Sequence, residues 1–131
     1  MSYAIAHAGD LSWEERASVG EGPPRQAADV TSAADLEQSR ARIWRLPAGA
    51  RGRRHVELVQ EEVFVVLEGT LTVLLGDPPE RVDLEAGGVV AVKPGTAIQL
   101  RNETATEARV FAYGAPPVVG ETEILDDVEL D

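Results

Sequence analysis

The sequence of 131 residues contains no cysteine. This absence excludes a disulfide framework, a zinc site built from thiolates and a cysteine nucleophile. No apolar run approaches the roughly 18 residues of a membrane span, and the N-terminus lacks the charged and apolar regions of an export signal. The sequence therefore predicts a soluble, cytoplasmic protein with no membrane partner.

Basic residues and histidines are also scarce. Twelve Lys and Arg against 23 Asp and Glu give a formal net charge of -11, which repels the phosphate backbone of nucleic acids. Nucleic acid is therefore not an expected partner. With only two histidines, and without a G-x-S-x-G elbow, a Walker loop or an H-E-x-x-H pair, the sequence disfavours serine hydrolase and nucleotide-binding functions.

The charges that are present are segregated along the chain. Residues 121–131 hold no base and six acids, which are Glu121, Glu123, Asp126, Asp127, Glu129 and Asp131. Residues 40–54 hold six of the basic residues, which are Arg40, Arg42, Arg45, Arg51, Arg53 and Arg54. Such runs are typical of solvated surface. The alternative for the basic run is attraction of an anionic small molecule toward Arg51, Arg53 and Arg54.

From residue 41 the sequence divides into short apolar and β-branched runs bounded by glycine and proline. The predicted strands are 41–46, 55–59, 63–67, 70–75, 81–84, 89–92, 97–101 and 109–113. Short strands at this spacing predict an all-β sandwich or barrel. The first forty residues contain no long periodic element, and only 32–38 could form a helical turn or two, capped by Ser32 or Asp35. We therefore predict an N-terminal arm over 1–40, a barrel over 41–115 and an acidic tail over 116–131.

One segment of the predicted barrel brings together groups that could bind a ligand. It reads Gly49, five residues, His55, one residue, Glu57, four residues, Glu62, six residues, Gly69. Residues two apart on a strand share a face, so His55 and Glu57 project the same way. A short turn then lets Glu62 on the next strand converge with them. This spacing resembles the first motif of the cupin superfamily, with Glu57 in place of the expected second histidine.

A second segment reads Gly87, five residues, Lys93, one residue, Gly95, two residues, Ile98, three residues, Asn102. It resembles the second cupin motif, with Lys93 in place of the usual proline and Ile98 in place of the usual histidine. The resemblance implies a single cupin β-barrel, also called a double-stranded β-helix or jelly roll.

An alternative register of the second motif would place Gln99 at the histidine position. It would also replace the motif glycine and asparagine by Thr96 and Glu103, so we disfavour it. Alternation supports the first register, because it directs Ile98 and Leu100 inward and Gln99 and Arg101 toward water.

The resemblance leaves the function open between two classes. Cupin metal sites normally use three imidazoles and a carboxylate, which suit Fe(II), Mn(II), Ni(II), Cu(II) or Zn(II). This chain would keep His55, Glu57 and Glu62. We therefore predict a small-molecule-binding protein without a redox metal, whose ligand lies in a barrel mouth lined by these three residues and Ile98. The alternative is a metal-dependent dioxygenase, isomerase or lyase for a small carbonyl or carboxylate substrate, with His55, Glu57 and Glu62 as the metal ligands.

The apolar pattern also predicts a partner subunit. The run from Val63 to Leu67 is apolar on both faces, so its outer face needs a cover. Since cupins commonly form homodimers, we expect a homodimer in which residues 3–6 or 11–13 contribute to the interface.

Overall fold

The computed structural model describes residues 2–118 and 120–130 of the chain. Its strands are β1 (Trp13–Arg16), β2 (Arg25–Asp29), β3 (Arg40–Leu46), β4 (His55–Glu57), β5 (Glu61–Glu68), β6 (Thr70–Leu75), β7 (Glu80–Glu85), β8 (Val89–Val92), β9 (Ala97–Arg101), β10 (Ala108–Ala115) and β11 (Thr122–Ile124). Every strand predicted from the sequence is present, and the predicted all-β jelly-roll fold is confirmed. None of the described helices has the length and apolar character required to cross a membrane.

The strands form two antiparallel sheets. The first sheet has the order β1-β2-β3-β10-β5-β8, and the second has the order β11-β4-β9-β6-β7. Alternating residues of both sheets point into one shared core, which includes Phe64 and Val110 from the first sheet and Leu71, Val73 and Ile98 from the second. The core therefore lies between the sheets and holds β4, β5 and β9 in fixed relative positions.

The residues before β3 are more ordered than the sequence indicated. Strands β1 and β2 extend the first sheet through pairing of β2 with β3. The helix α1 spans Val30–Ala33, earlier than predicted. Asp29 caps it by accepting a hydrogen bond from the Ser32 amide at 3.2 Å, so the predicted caps Ser32 and Asp35 are wrong. Asp35 lies after the helix, in a left-handed conformation with φ of 51°.

A glycine fixes the turn between β5 and β6, as the sequence suggested. Gly69 has φ of 75°, and a Cβ atom there would lie 2.5 Å from the Glu107 carbonyl oxygen. Any larger residue would be strained and would collide with the backbone of the loop before β10. This turn sets the register of β5, the strand that carries Glu62.

The acidic tail is not a purely solvated segment, which corrects the prediction. Its strand β11 pairs with β4, and the Asp127 carboxylate accepts hydrogen bonds from Arg51 and Gln99. The tail also covers the outer face of β9. For this reason Gln99 and Arg101, predicted to face water, are only 0% and 2% exposed. Asp131 of the predicted tail lies outside the described residues.

Candidate functional site

Strands β4 and β5, which are consecutive along the chain, carry His55, Glu57 and Glu62 and place these side chains together. His55 pairs with Ile98 across β4 and β9, so both side chains point to the inner face of the second sheet. Glu57 lies on the same side of β4, and Glu62 approaches from the start of β5. The His55 Nε2 atom lies 3.2 Å from Glu62 Oε1 and 3.7 Å from Glu57 Oε1. The predicted convergence of these three groups is therefore present.

The imidazole of His55 is held in one orientation. Its Nδ1 atom lies 3.1 Å from the Arg53 carbonyl oxygen, which can only accept a hydrogen bond, so Nδ1 carries a proton. In the neutral ring Nε2 is then the lone-pair atom, and it faces both carboxylates. This arrangement allows Nε2 either to ligate a cation or to donate to Glu62 when the ring is protonated.

Burial and charge act in opposite directions on His55. Burial is the largest single effect and lowers the pKa. The hydrogen bonds to Glu62 and to the Arg53 carbonyl, together with the negative charges of Glu62 and Glu57, raise the pKa. The combined attraction prevails, and the pKa of His55 is raised above its ordinary value.

The tail contributes a contact to this group that the sequence did not reveal. The Thr122 hydroxyl of β11 donates to Glu57 Oε2 at 2.7 Å, and the two residues pair across β11 and β4. This bond leaves the other carboxylate oxygen, Oε1, on the side of His55. A contact across 65 positions has no local sequence signal.

The His55, Glu57 and Glu62 side chains line a cavity of about 390 Å³ between the sheets. The structure thus brings together three of the four predicted binding residues in one cavity. Ile98 is 1% exposed and belongs to the core, beside His55 on the neighbouring strand β9. The predicted position 98 is apolar, and its side chain is not among those that line this cavity.

The remaining wall of the cavity is rich in arginine. Its arginines are Arg16, Arg25, Arg40, Arg42 and Arg53. Trp44 also lines the cavity, and the Arg25 guanidinium lies 4.7 Å from the centre of its ring. Trp44 packs against the core, and its indole also supports a charged group at the cavity.

Comparisons with known proteins agree with this architecture. The sequence profile described as "Cupin domain" matches residues 42–114. No curated protein matches the chain. Among solved structures, a protein of Silicibacter pomeroyi described as a sugar phosphate isomerase from a cupin superfamily is 26% identical to this chain. The two structures align with a TM-score of 0.67, and the alignment covers 79% of this chain and 71% of that one.

Two further structures share the fold at lower identity. A predicted oxalate decarboxylase from Thermotoga maritima is 16% identical, with a TM-score of 0.74 over 86% of this chain and 98% of that one. The polyketide cyclase RemF from Streptomyces resistomycificus is 13% identical, with a TM-score of 0.75 over 95% of this chain and 87% of that one.

Proposed function

Because the chain belongs to the cupin domain family, we propose that it binds a small organic molecule in the cavity between its two sheets. One observation carries this proposal. A cavity of about 390 Å³ is large enough for a compact ligand, and His55, Glu57 and Glu62 converge at its wall. These three residues are the proposed ligand-binding groups, while Ile98 supplies the apolar support behind them.

The binding proposal can be tested with two neighbouring glutamates. Glu62 faces the cavity, whereas Glu61 is exposed and accepts a hydrogen bond from Lys93 at 2.6 Å. A panel of sugars, hydroxy acids and sugar phosphates is screened for compounds that raise the melting temperature. We expect Glu62→Gln to abolish the rise and Glu61→Gln to preserve it. Equal loss in both variants, or no responding compound, would contradict the proposal.

A second candidate function, a metal-dependent enzyme, is favoured by the same three residues. One ligand atom from each of His55, Glu57 and Glu62 lies within 4.8 Å of the others, and the Arg53 carbonyl fixes the ring so that Nε2 can ligate. One imidazole and two carboxylates favour Mn(II) or Fe(II) among the transition metals that cupins use. When bound, such an ion acts as a Lewis acid on a carbonyl or carboxylate oxygen of a substrate. The sugar phosphate isomerase similarity is consistent with an isomerase of this kind.

Metal content distinguishes the two candidates. The chain is purified without chelator or nickel resin, and its metals are measured by mass spectrometry. In the metal-dependent case we expect a stoichiometric transition metal that is lost in His55→Ala and retained in His7→Ala. His7 is a suitable control because it lies in an exposed N-terminal turn, outside the three-residue cluster. A metal-free chain that still binds its ligand would favour the first candidate.

We also propose a homodimer, with the outer face of the first sheet as the interface. Four registered residues form an apolar row across β3, β10, β5 and β8, namely Ile43, Phe111, Val65 and Val89. The side chains alternate with those of the core and so point outward, and Val89 is 57% exposed. In a two-fold symmetric dimer, the same row of a second copy would pack against this row and cover it.

Light scattering tests the dimer. We expect a mass of twice 14.0 kDa at micromolar concentration. Val89→Lys should shift the mass to that of a single chain, whereas Glu80→Lys on the exposed β7 should leave the dimer intact. A single-chain mass for the unmodified protein would contradict the proposal.

A further inference from the structure

Arg25 is a partly buried cation without a carboxylate partner. Its Nη2 atom donates to the Ala17 carbonyl oxygen at 2.8 Å, and its guanidinium lies over Trp44. Its Nε atom is buried and has no hydrogen-bond partner, and no ion pair among residues 2–118 and 120–130 includes Arg25. The Arg25 side chain is thus held in place, although not all of its N–H groups donate a hydrogen bond within the described chain.

A second arginine reinforces this positive wall. Arg53 also lines the cavity and is absent from the ion pairs of the described chain. Burial lowers the pKa of Arg25 most, and the positive charges of Arg53 and Arg16 lower it further. Arg16 differs from the other two because it pairs with Glu14 at 2.9 Å. Of the five arginines that line the cavity, we call Arg25 and Arg53 the cavity arginines.

The part of the cavity wall formed by β4 and the start of β5 has a different chemistry. His55, Glu57 and Glu62 offer acceptors and a titratable imidazole, and their two carboxylates repel an anion. The backbone of Arg53 connects the two walls, because its carbonyl oxygen contacts His55 Nδ1 while its side chain lines the cavity. A ligand that satisfies both walls needs an oxyanion at one end and hydroxyl groups at the other.

We propose that the cavity selects a hydroxylated organic anion, with the cavity arginines on its phosphate or carboxylate group and His55, Glu57 and Glu62 toward its hydroxyl groups. This inference rests on the proposed function, namely that the cavity is a ligand site. The oxyanion neutralises the repulsion between the two guanidinium groups and accepts hydrogen bonds from them. The hydroxyl groups of the ligand donate hydrogen bonds to the carboxylates while its oxyanion stays with the arginines.

Fluorescence of Trp44 provides a direct test, because this ring contacts Arg25. The chain has two tryptophans, so a Trp13→Phe background isolates the signal of Trp44. The background protein is titrated with glucose 6-phosphate, glucuronate, glucose and inorganic phosphate. We expect at least one of the two hydroxylated anions to bind more tightly than both glucose and inorganic phosphate. The comparison of glucose 6-phosphate with glucuronate identifies whether the oxyanion is a phosphate or a carboxylate.

Variants then locate the anion. We expect Arg25→Gln and Arg53→Gln each to weaken binding about tenfold, the effect of losing a charged hydrogen bond. Arg109→Gln is the matched control, since Arg109 pairs with Glu68 and Glu107 and is not among the cavity-lining residues. Arg53 is exposed, so its variant keeps the test valid if Arg25→Gln does not fold.

Four results would overturn the inference. Glucose binding as tightly as the hydroxylated anions would show that charge is not recognised, while leaving the cavity as a ligand site. Equal binding of inorganic phosphate would show that the hydroxyl groups are not recognised. Unchanged affinity in both cavity-arginine variants would place the anion elsewhere. If none of the four probes binds, the inference fails, and the separate Glu62→Gln and Glu61→Gln screen decides whether the cavity binds another class of molecule.

Discussion

Two groups of arginines lie close together in this chain and have opposite surroundings. Arg51, Arg54 and Arg101, which we call the tail arginines, are paired with carboxylates or with tail carbonyl groups. The cavity arginines Arg25 and Arg53 have no such pairing within the part of the chain that the structure describes. Sequence position does not separate the groups, because Arg53 lies directly between a glycine and Arg54. The difference shows that the position of an arginine in the sequence does not decide whether the fold supplies its counter-charge.

Asp127 is the centre of the paired group. Its Oδ2 atom lies 2.5 Å from Arg51 Nη1, and its Oδ1 atom accepts from Gln99 at 2.7 Å and lies 3.4 Å from Arg101 Nη2. Arg101 in turn donates to Gln99 Oε1 at 3.0 Å and to the Val128 carbonyl oxygen at 2.6 Å. Every polar group in this network therefore has a partner, which is the condition for burying it at low cost.

Removal of Arg101 should give the largest effect on stability. Its side chain is 3% exposed, and Arg101→Ala removes the donor to Gln99 Oε1 and one of the two cations beside Asp127. We expect the free energy of unfolding to fall by about 3 kcal/mol, the lower end of the range for breaking a buried pair, because Asp127 is partly hydrated. Urea denaturation measures the change. Arg109→Ala, at an exposed pair, should cost less than about 0.5 kcal/mol, and an equal loss in both variants would contradict the comparison.

Neutralising Asp127 should have an intermediate effect. Asp127→Asn keeps the shape and removes the charge between Arg51 and Arg101, so we expect a loss of about 1–2 kcal/mol. The control is Asp126→Asn, because Asp126 contacts Arg54 through its backbone carbonyl. A loss of the same size in this control would show that the Asp127 charge is not the cause.

The same carboxylate predicts a response to acid. Burial raises the pKa of Asp127, but the Gln99 hydrogen bond and the Arg51 and Arg101 charges outweigh burial and lower it overall. A lowered folded pKa contributes stability that is complete above the unfolded value of about 3.9 and is lost as pH falls through the folded value. Acid titration should show this loss, and Asp127→Asn should reduce it. An unchanged acid profile in the variant would contradict the assignment.

His55 predicts a smaller response of the opposite sign near neutrality. Burial lowers its pKa, but Glu62 and Glu57 raise it overall. A raised folded pKa contributes stability that is complete below the unfolded value of about 6.5 and is lost as pH rises through the folded value. With a chelator present, we expect a modest fall in melting temperature above about pH 6.5. His55→Gln should flatten this profile, whereas a rise with pH that chelation abolishes would indicate a bound metal.

The cavity group should give the smallest change in stability. Arg53→Gln removes a repulsive charge near Arg25 and breaks no ion pair, so we expect stability to stay within about 0.5 kcal/mol or to increase slightly. The contrast with Arg101→Ala is the sharpest form of the comparison, because both changes remove one guanidinium. A large loss in Arg53→Gln would show that the cavity wall is structural.

Local sequence patterns predicted the barrel and the convergence of His55, Glu57 and Glu62, because both depend on residues that are close together in the sequence. Strand alternation and the turn glycine Gly69 set the register of β4 and β5, and this register is sufficient to bring His55 and Glu62 together. The same alternation directs Gln99 and Arg101 outward, as predicted. It carries no information on whether a distant segment covers that outer face, so the burial by the tail was missed.

Arg25 was missed for a related reason. Its strand reads Arg, Gln, Ala, Ala, Asp, which has low β propensity, and it forms because β3 offers a paired edge. The arginine-rich wall of the cavity depends on this long-range pairing and on Trp44. Trp44 lies on β3, which is separated by β10 from β5, the strand of Glu62. Neither contact has a local spacing that could be read from the sequence.

The pairing of β11 with β4 also restricts how copies of this chain can assemble. Strand β4 lies between β9 and β11, so its backbone donors and acceptors are already used within one chain. A neighbouring molecule cannot extend the second sheet beside His55 by adding a strand to β4. Among the described strands, β1, β8, β11 and β7 are the outermost of the two sheets, and their edges offer free backbone groups for intermolecular pairing. Assembly by strand addition is thereby directed away from β4, the strand that carries His55 and Glu57.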